Sequence, residues 1–212
     1  MRKAKRKNGR KYVTYLAGPM QALGWSGSGW RVYFASLLKK YNICVQDPVK
    51  SESKKTGFSP TNAKKMLKTL TILTLQGDRE AEKKFLRMMN RIELNDFMMV
   101  DRSDFIVAQT IEDTVSIGTT AEIFRAAEKK IPIYALYVGR SKNLSYWLLS
   151  KIIASGGKVF TTRTMDGLQD CMKKCLQYLL NKFELEELER NGKNGKHRNN
   201  RKHKHNGKKR KT

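Results

Sequence analysis

The sequence predicts an α/β fold of the Rossmann-like or flavodoxin-like kind: one domain whose mainly parallel sheet of about five strands carries helices on both faces. Three observations predict it. Short apolar runs alternate with segments whose apolar residues recur at helical spacing, strand then helix, along most of the chain. The runs are rich in Val, Ile, Tyr and Thr, which suit a pleated, half-buried surface. The chain has 212 residues, 39% of them hydrophobic, which suffices for one core of ordinary size.

Lys11 to Ala17 (KYVTYLA) reads as the first strand, followed by the glycine-rich loop GPMQALGWSGSG and by WRVYFASLLKKY, apolar at helical spacing. Ile43 to Gln46 (ICVQ) is a second strand stopped by Asp47-Pro48, because proline cannot donate to a ladder. Residues 49–77 lack periodicity in SESKKTGFSPTN and then offer a helix from Ala63 to Leu75; they read as an insertion or lid. Glu80 to Val100 is helical, Asp104 to Gln109 (DFIVAQ) a buried strand, and Thr119 to Lys130 a helix capped by Thr119. Ile131 to Val138 (IPIYALYV), a helix from Leu144 to Ser155, the strand Lys158 to Thr162 (KVFTT) and a closing helix from Met165 to Glu189 complete the order.

The formal charge of +25 is unevenly spread. Residues 1–11 hold seven Lys/Arg and residues 190–212 hold eleven, with no acid in either, which leaves 26 basic and 19 acidic residues in the body. The arms cannot bury enough apolar surface to fold and are expected to be disordered. The body, residues 12–189, is the expected domain. All three histidines, His197, His203 and His205, lie in the C-terminal arm, so acid-base chemistry in the body must come from carboxylates, Tyr, Cys or Lys. Cys44, Cys171 and Cys175 form no CxxC pair and read as buried thiols. No metal or cofactor is expected, and no apolar stretch approaches the roughly 20 residues of a membrane span. An intracellular, cytoplasmic setting is expected, or a nuclear one in a eukaryotic host.

Three places carry chemistry. Tyr15-Leu16-Ala17-Gly18-Pro19 ends the first strand, Asn95-Asp96-Phe97 lies late in a long helix, and SIGTTAE (Ser116 to Glu122) leads into the helix after the third strand. In a parallel sheet the first and third lie at the carboxyl edge, where ligands bind, and Glu122 is expected there facing Tyr15 and Asp96 across one pocket. Read from the residues alone, Glu122 is also accounted for as an acid favoured by a helix dipole, Tyr15 as packing, Asp96 as a cap or partner of Arg91 or Arg102, and Asp104 as a loop fastener.

Together the three motifs resemble the nucleoside 2-deoxyribosyltransferase family and its relatives that hydrolyse nucleoside 5′-monophosphates. The resemblance runs from about Tyr12 to Asn143. It implies Glu122 as a nucleophile that holds the sugar as a covalent ester, Asp96 as the group that contacts and protonates the base, and Tyr15 as the residue that orients the nucleophile. In Asn143 to Trp147 it implies an asparagine, Asn143, that reaches a neighbouring subunit's site, hence a homo-oligomer. Nucleoside-specific members place an aspartate six residues before the nucleophile, whereas relatives acting on monophosphates place a serine; here that residue is Ser116. With Gly18, Gly118, Thr119 and, from the first loop, Ser26, Ser28 and Arg31, it would form a phosphate cradle. Asp113 is the competing candidate, as binder of a free 5′-hydroxyl.

Other classes stay open: a nucleotide-sensing domain without catalysis, or a nucleic-acid accessory protein acting through its arms. Aromatic residues are not interleaved with the basic runs, so base stacking by the arms is not expected. They attract polyanions without reading sequence. Removing residues 1–11 and 190–212 is expected to abolish weak, steeply salt-dependent binding of fluorescent DNA; binding unchanged from low to high salt would point to a specific site instead.

Overall fold

The computed structural model describes residues 12–19, 28–48, 60–114 and 116–184. Among these the elements run β1 (Tyr12–Ala17), α1 (Ser28–Lys39), β2 (Ile43–Gln46), α2 (Pro60–Leu75), α3 (Arg79–Asp101), β3 (Phe105–Ile111), α4 (Ile117–Glu128), β4 (Ile133–Val138), a 3-10 turn (Ser141–Asn143), α5 (Tyr146–Ala154) and β5 (Lys158–Thr162). Residues 168–184 form a closing helix. The strands make one five-stranded sheet in the order β2-β1-β3-β4-β5, and every pairing is parallel. The predicted α/β class is thus the observed one.

Parallel pairing brings every strand's carboxyl end to one edge. Chain order reverses between β1 and β3: the connection from β1 leads outward to β2, and the one from β3 leads the other way to β4. Such a switch point opens a crevice between the two loops that diverge there. Register fixes what faces it, for Tyr15 lies opposite Ile106 and Ala17 opposite Ala108. On one face these alternate residues join Ile133, Ala135, Met99, Val100, Ile123, Ala126 and Ile152 in a buried cluster, which seats α3, α4 and α5 on the sheet. On alternate positions Phe105 and Tyr134 meet edge to face at 5.7 Å.

Two fasteners hold the site's elements. Asp104 takes the Val13 amide on Oδ2 at 2.7 Å and returns its own amide to the Val13 carbonyl at 2.8 Å, so it pins β1 beside β3. This is the fastening role expected of it. Arg125 of α4 grips Asp101 of α3 with two bonds, Nε to Oδ1 at 2.9 Å and NH2 to Oδ2 at 2.8 Å, and covers the Phe97 ring at 5.8 Å. The fork fixes the helix that carries Asp96 against the helix that carries Glu122.

Several boundaries differ from expectation. Helix α4 begins at Ile117, two residues before the predicted start, and its N-cap is Ser116 rather than Thr119. Ser116 is extended, with φ −128 and ψ 93, and its carbonyl accepts the Thr120 amide at 3.0 Å, which defines the cap position. Glu122 therefore stands in the second turn, and the first turn contains no acid. The helix expected from Ala63 to Leu75 forms and begins three residues earlier, at Pro60; it packs on α3 as a helical hairpin, and Asp78 caps α3 by accepting the amides of Glu80 and Ala81. Residues 49–59 of the expected lid, both basic arms and the domain limit at 189 lie outside the described residues. The chain divides into two compact units, 1–172 and 173–212, and the whole sheet belongs to the first. Cys171 and Cys175 are buried as expected, and Cys44 is half-buried.

Candidate functional site

Tyr15 is the fourth residue of β1 and is wholly buried. Its hydroxyl donates to Oε1 of Glu122 at 2.5 Å, across 107 residues of sequence. The glutamate itself is 7% exposed, and Asp96, on α3, is likewise 7% exposed. An acid in a helix's first turn at the surface is accounted for by the dipole, but that effect fades beyond the first turn. A buried acid in the second turn needs another reason, and it has one in its neighbours.

Those neighbours form a charge cluster. Burial above all, then the charges of Glu122 and Asp96 and the bond to Glu122, push the Tyr15 hydroxyl well above its ordinary 10.0, with Arg31 opposing. Burial lowers the Arg31 guanidinium, opposed by its attraction to Tyr15, Glu122, Asp47 and Asp96. Three acids and one phenol are thus within electrostatic reach of Arg31. Tyr15 stays a proton donor throughout the physiological range.

Arg31 sits in an unexpected role. It is 1% exposed, and its Nε donates to the Leu16 carbonyl at 3.1 Å and its NH2 to the Gly18 carbonyl at 2.6 Å. It clasps the carboxyl end of β1 instead of presenting itself to solvent, and it lies 5.2 Å from the centre of the Trp30 ring. Gly18 makes this clasp possible. A Cβ there would stand 2.9 Å from the Trp30 ring and 3.2 Å from the guanidinium. Asp47, read in the sequence only as part of a strand stop, is 9% exposed and belongs to the same cluster. Its place just beyond β2, at the shared edge, was the available signal.

The remaining predicted residues are dispersed. Ser116 Oγ lies 2.8 Å from Thr119 Oγ1, so the two hydroxyls serve each other, and Thr119 is buried one turn before Glu122. Gly118 is exposed in the first turn of α4, and a Cβ there would meet open space. Ser28 opens α1, while Ser26 lies outside the described residues. Asp113 is exposed in the turn after β3 with φ 57, and its charge acts on Tyr137. Asn143 gives its side-chain amide to Glu112 of its own chain. Glu112, which the sequence did not single out, also accepts the Arg140 amide at 2.6 Å and its guanidinium at 3.2 and 3.3 Å. Among the described residues no group of three or more His, Cys, Asp or Glu is gathered to hold a metal ion, and no helix is long and apolar enough to cross a membrane.

No family model and no curated protein matches this chain. Among solved structures, the CMP N-glycosidase BcmB of Clostridium botulinum is 14% identical, with a TM-score of 0.47 over 78% of this chain and 98% of its own. A conserved protein from Enterococcus faecalis V583 is 18% identical, with a TM-score of 0.48 over 79% and 98%. At these values neither likeness says anything of this chain's chemistry.

Two outcomes follow from the cluster. Arg31→Met removes the cation from among buried acids and strips two carbonyls of their donor, so urea denaturation should show a loss on the order of 3–5 kcal/mol. A loss under about 1 kcal/mol would mean that the acids do not depend on it. Tyr15 holds its proton more tightly folded than unfolded, so its stabilising contribution is complete below pH ~10 and is lost as pH rises past that value. Tyr15→Phe should accordingly flatten the alkaline fall in stability, measured by denaturation between pH 8 and about 11; an unchanged slope would refute the assignment.

Proposed function

We propose that this protein cleaves the N-glycosidic bond of a nucleoside or its 5′-monophosphate, with Glu122 as nucleophile, Asp96 as acid and Tyr15 as the group that orients the nucleophile. The observation that carries the reading is the 2.5 Å hydrogen bond from the Tyr15 hydroxyl to Glu122 Oε1, made in a buried place at the switch point of the sheet. A carboxylate so held presents its second oxygen, Oε2, in a defined direction. Arg31 supports it by offsetting the accumulated negative charge.

In the proposed reaction Glu122 Oε2 attacks the anomeric carbon, and the bond from that carbon to the base nitrogen breaks. The bond's electron pair leaves with the base, which takes the proton of Asp96. The oxocarbenium-like charge that develops between these events is stabilised by the carboxylate and then captured as a glycosyl ester. Water attacks the same carbon from the opposite face, yields its proton to Asp96 and releases Glu122. A second base in place of water gives transfer instead of hydrolysis. Two inversions retain the sugar's configuration.

Ser116, Gly118 and Thr119, at the start of the helix that bears Glu122, are proposed to receive the sugar's 5′ end. The exposed Gly118 leaves room for it. A homo-oligomer belongs to the same reading: Ile117, Tyr146 and Trp147 are 80, 84 and 71% exposed, an apolar surface that a second copy would cover.

The test is a panel of nucleosides and 5′-monophosphates, with and without an acceptor base, read by chromatography for wild type and Glu122→Gln. Glutamine keeps an acceptor for Tyr15, so the variant should fold; turnover should fall by at least ~10³-fold, since the amide cannot form the ester. Near-normal turnover by Glu122→Gln removes the residue from the mechanism. Nucleotide binding without turnover by wild type favours the sensing domain.

A further inference from the structure

At the carboxyl ends of β4 and β5 lies a cavity of about 660 Å³, lined by residues 139–142 of the loop after β4 and residues 161–163 at the end of β5. Adjacent strands are about 4.8 Å apart, so β5, three places from β1, stands roughly 14 Å from it. The cavity is therefore not the Tyr15–Glu122 pair. It is also where the available cations are, since the arginine expected to hold phosphate, Arg31, is committed to main-chain carbonyls.

Its lining is one-signed. Arg140, Lys142 and Arg163 are cations, Ser141, Thr161 and Thr162 carry hydroxyls, and none of the lining residues is acidic. Glu112 is the carboxylate bonded to the lining, and it is engaged with the Arg140 amide, the Asn143 side chain and the Arg140 guanidinium, which hold its pKa below the ordinary 4.5. Among the described residues neither Lys142 nor Arg163 has an ion-pair partner. Three cations in the lining, against Glu112 and the exposed Asp113, which acts with Glu112 and Arg140 on Tyr137, leave a net positive charge around a concave surface. A phosphate monoester carries about two negative charges.

The arrangement is built, not incidental. Gly139 has φ 148, a conformation that favours glycine, and a Cβ there would stand 2.5 Å from both Cβ and Oε2 of Glu112. Only glycine lets Glu112 lie against this loop and fix Arg140. The Gly139 amide donates to the Thr162 carbonyl at 2.7 Å, which ties the two lining segments together. A neutral sugar or base would gain little from such a lining, and a cation would be repelled. We propose that this cavity is a phosphate-binding site, with Lys142 and Arg163 supplying charge, Arg140 held ready by Glu112, and the hydroxyls of Ser141 and Thr161 completing the shell. The inference does not rest on the N-glycosidic reading.

The full chain tests it. Amide resonances are followed by NMR during separate titrations with inorganic phosphate, a deoxynucleoside 5′-monophosphate and a short single-stranded oligonucleotide. Each titration is repeated on the Lys142→Gln/Arg163→Gln double variant, which alters two exposed side chains and leaves the core intact. Saturable shifts at residues 139–142 and 161–163 are expected, with affinity at least ~10-fold weaker in the double variant. Tighter binding of the monophosphate than of inorganic phosphate assigns the site to small phosphate esters. Saturation by the oligonucleotide alone assigns it to a polynucleotide backbone. Shifts confined to residues 1–11 and 190–212 in every titration, or equal affinity in the double variant, overturn the proposal.

Discussion

One buried arginine makes the rest of the candidate site possible. Glu122, Asp96 and Asp47 are each under 10% exposed, and Tyr15 is not exposed at all. Acids taken out of water are costly unless a cation or hydrogen-bond donors lie close to them. Arg31 is the cation within reach, and it is itself made tolerable in the interior by the carbonyls of Leu16 and Gly18. The same two bonds fix the course of the chain where β1 ends. Charge compensation and backbone geometry are thus one interaction, and a lysine, with a single compact ammonium, has no planar fork with which to make both bonds.

What the arginine compensates is assembled by the sheet. Tyr15, Asp96 and Glu122 come from a strand and two helices, and they meet because β1 pairs with β3 in the register that sets Tyr15 opposite Ile106. The helix after β3 must then pass over β1's neighbour, and its apolar residues Ile123 and Ala126 settle into the cluster that contains Tyr15 and Ala17. Glu122 adjoins Ile123 in sequence, so seating the apolar side chain carries the carboxylate to the rim of the core, within reach of the phenol. The Arg125–Asp101 fork then fixes the tilt of one helix against the other. On its own such a partly exposed pair contributes no more than about 1 kcal/mol; its importance is positional.

The centre of the sheet was legible in the sequence because burial on both faces writes near-continuous apolar runs in β3 and β4, and the partly buried edge strands Ile43–Gln46 and Lys158–Thr162 form as read. The pairing of Tyr15 with Glu122 was legible only through motif resemblance, since no local pattern links residues 107 apart. Helix starts were less legible. Ile117 and Gly118 look like loop residues, yet Ser116 takes the cap and draws both into the first turn. Burial of Arg31 was not legible at all, because a polar residue at a helix start reads as solvent-facing until the carbonyls it meets, from another element, are known. Glu112 escaped for the same reason. Its partners Arg140 and Asn143 are 28 and 31 residues away, and nothing in their spacing announces a shared carboxylate.

Arg31 and the cations beyond β4 and β5 divide one electrostatic task. Inside the cluster one buried cation faces three buried acids. At the other end of the same edge, neither Lys142 nor Arg163 has an ion-pair partner among the described residues, and both are exposed. Interior charges are screened little by salt, whereas exposed ones are screened over about 8–10 Å at physiological ionic strength. Salt should therefore leave the Tyr15–Glu122 geometry untouched while weakening any anion's approach to the loops. The body's modest basic excess acts through where it stands: Arg31 is buried among acids, whereas Lys142 and Arg163 are exposed without ion-pair partners among the described residues.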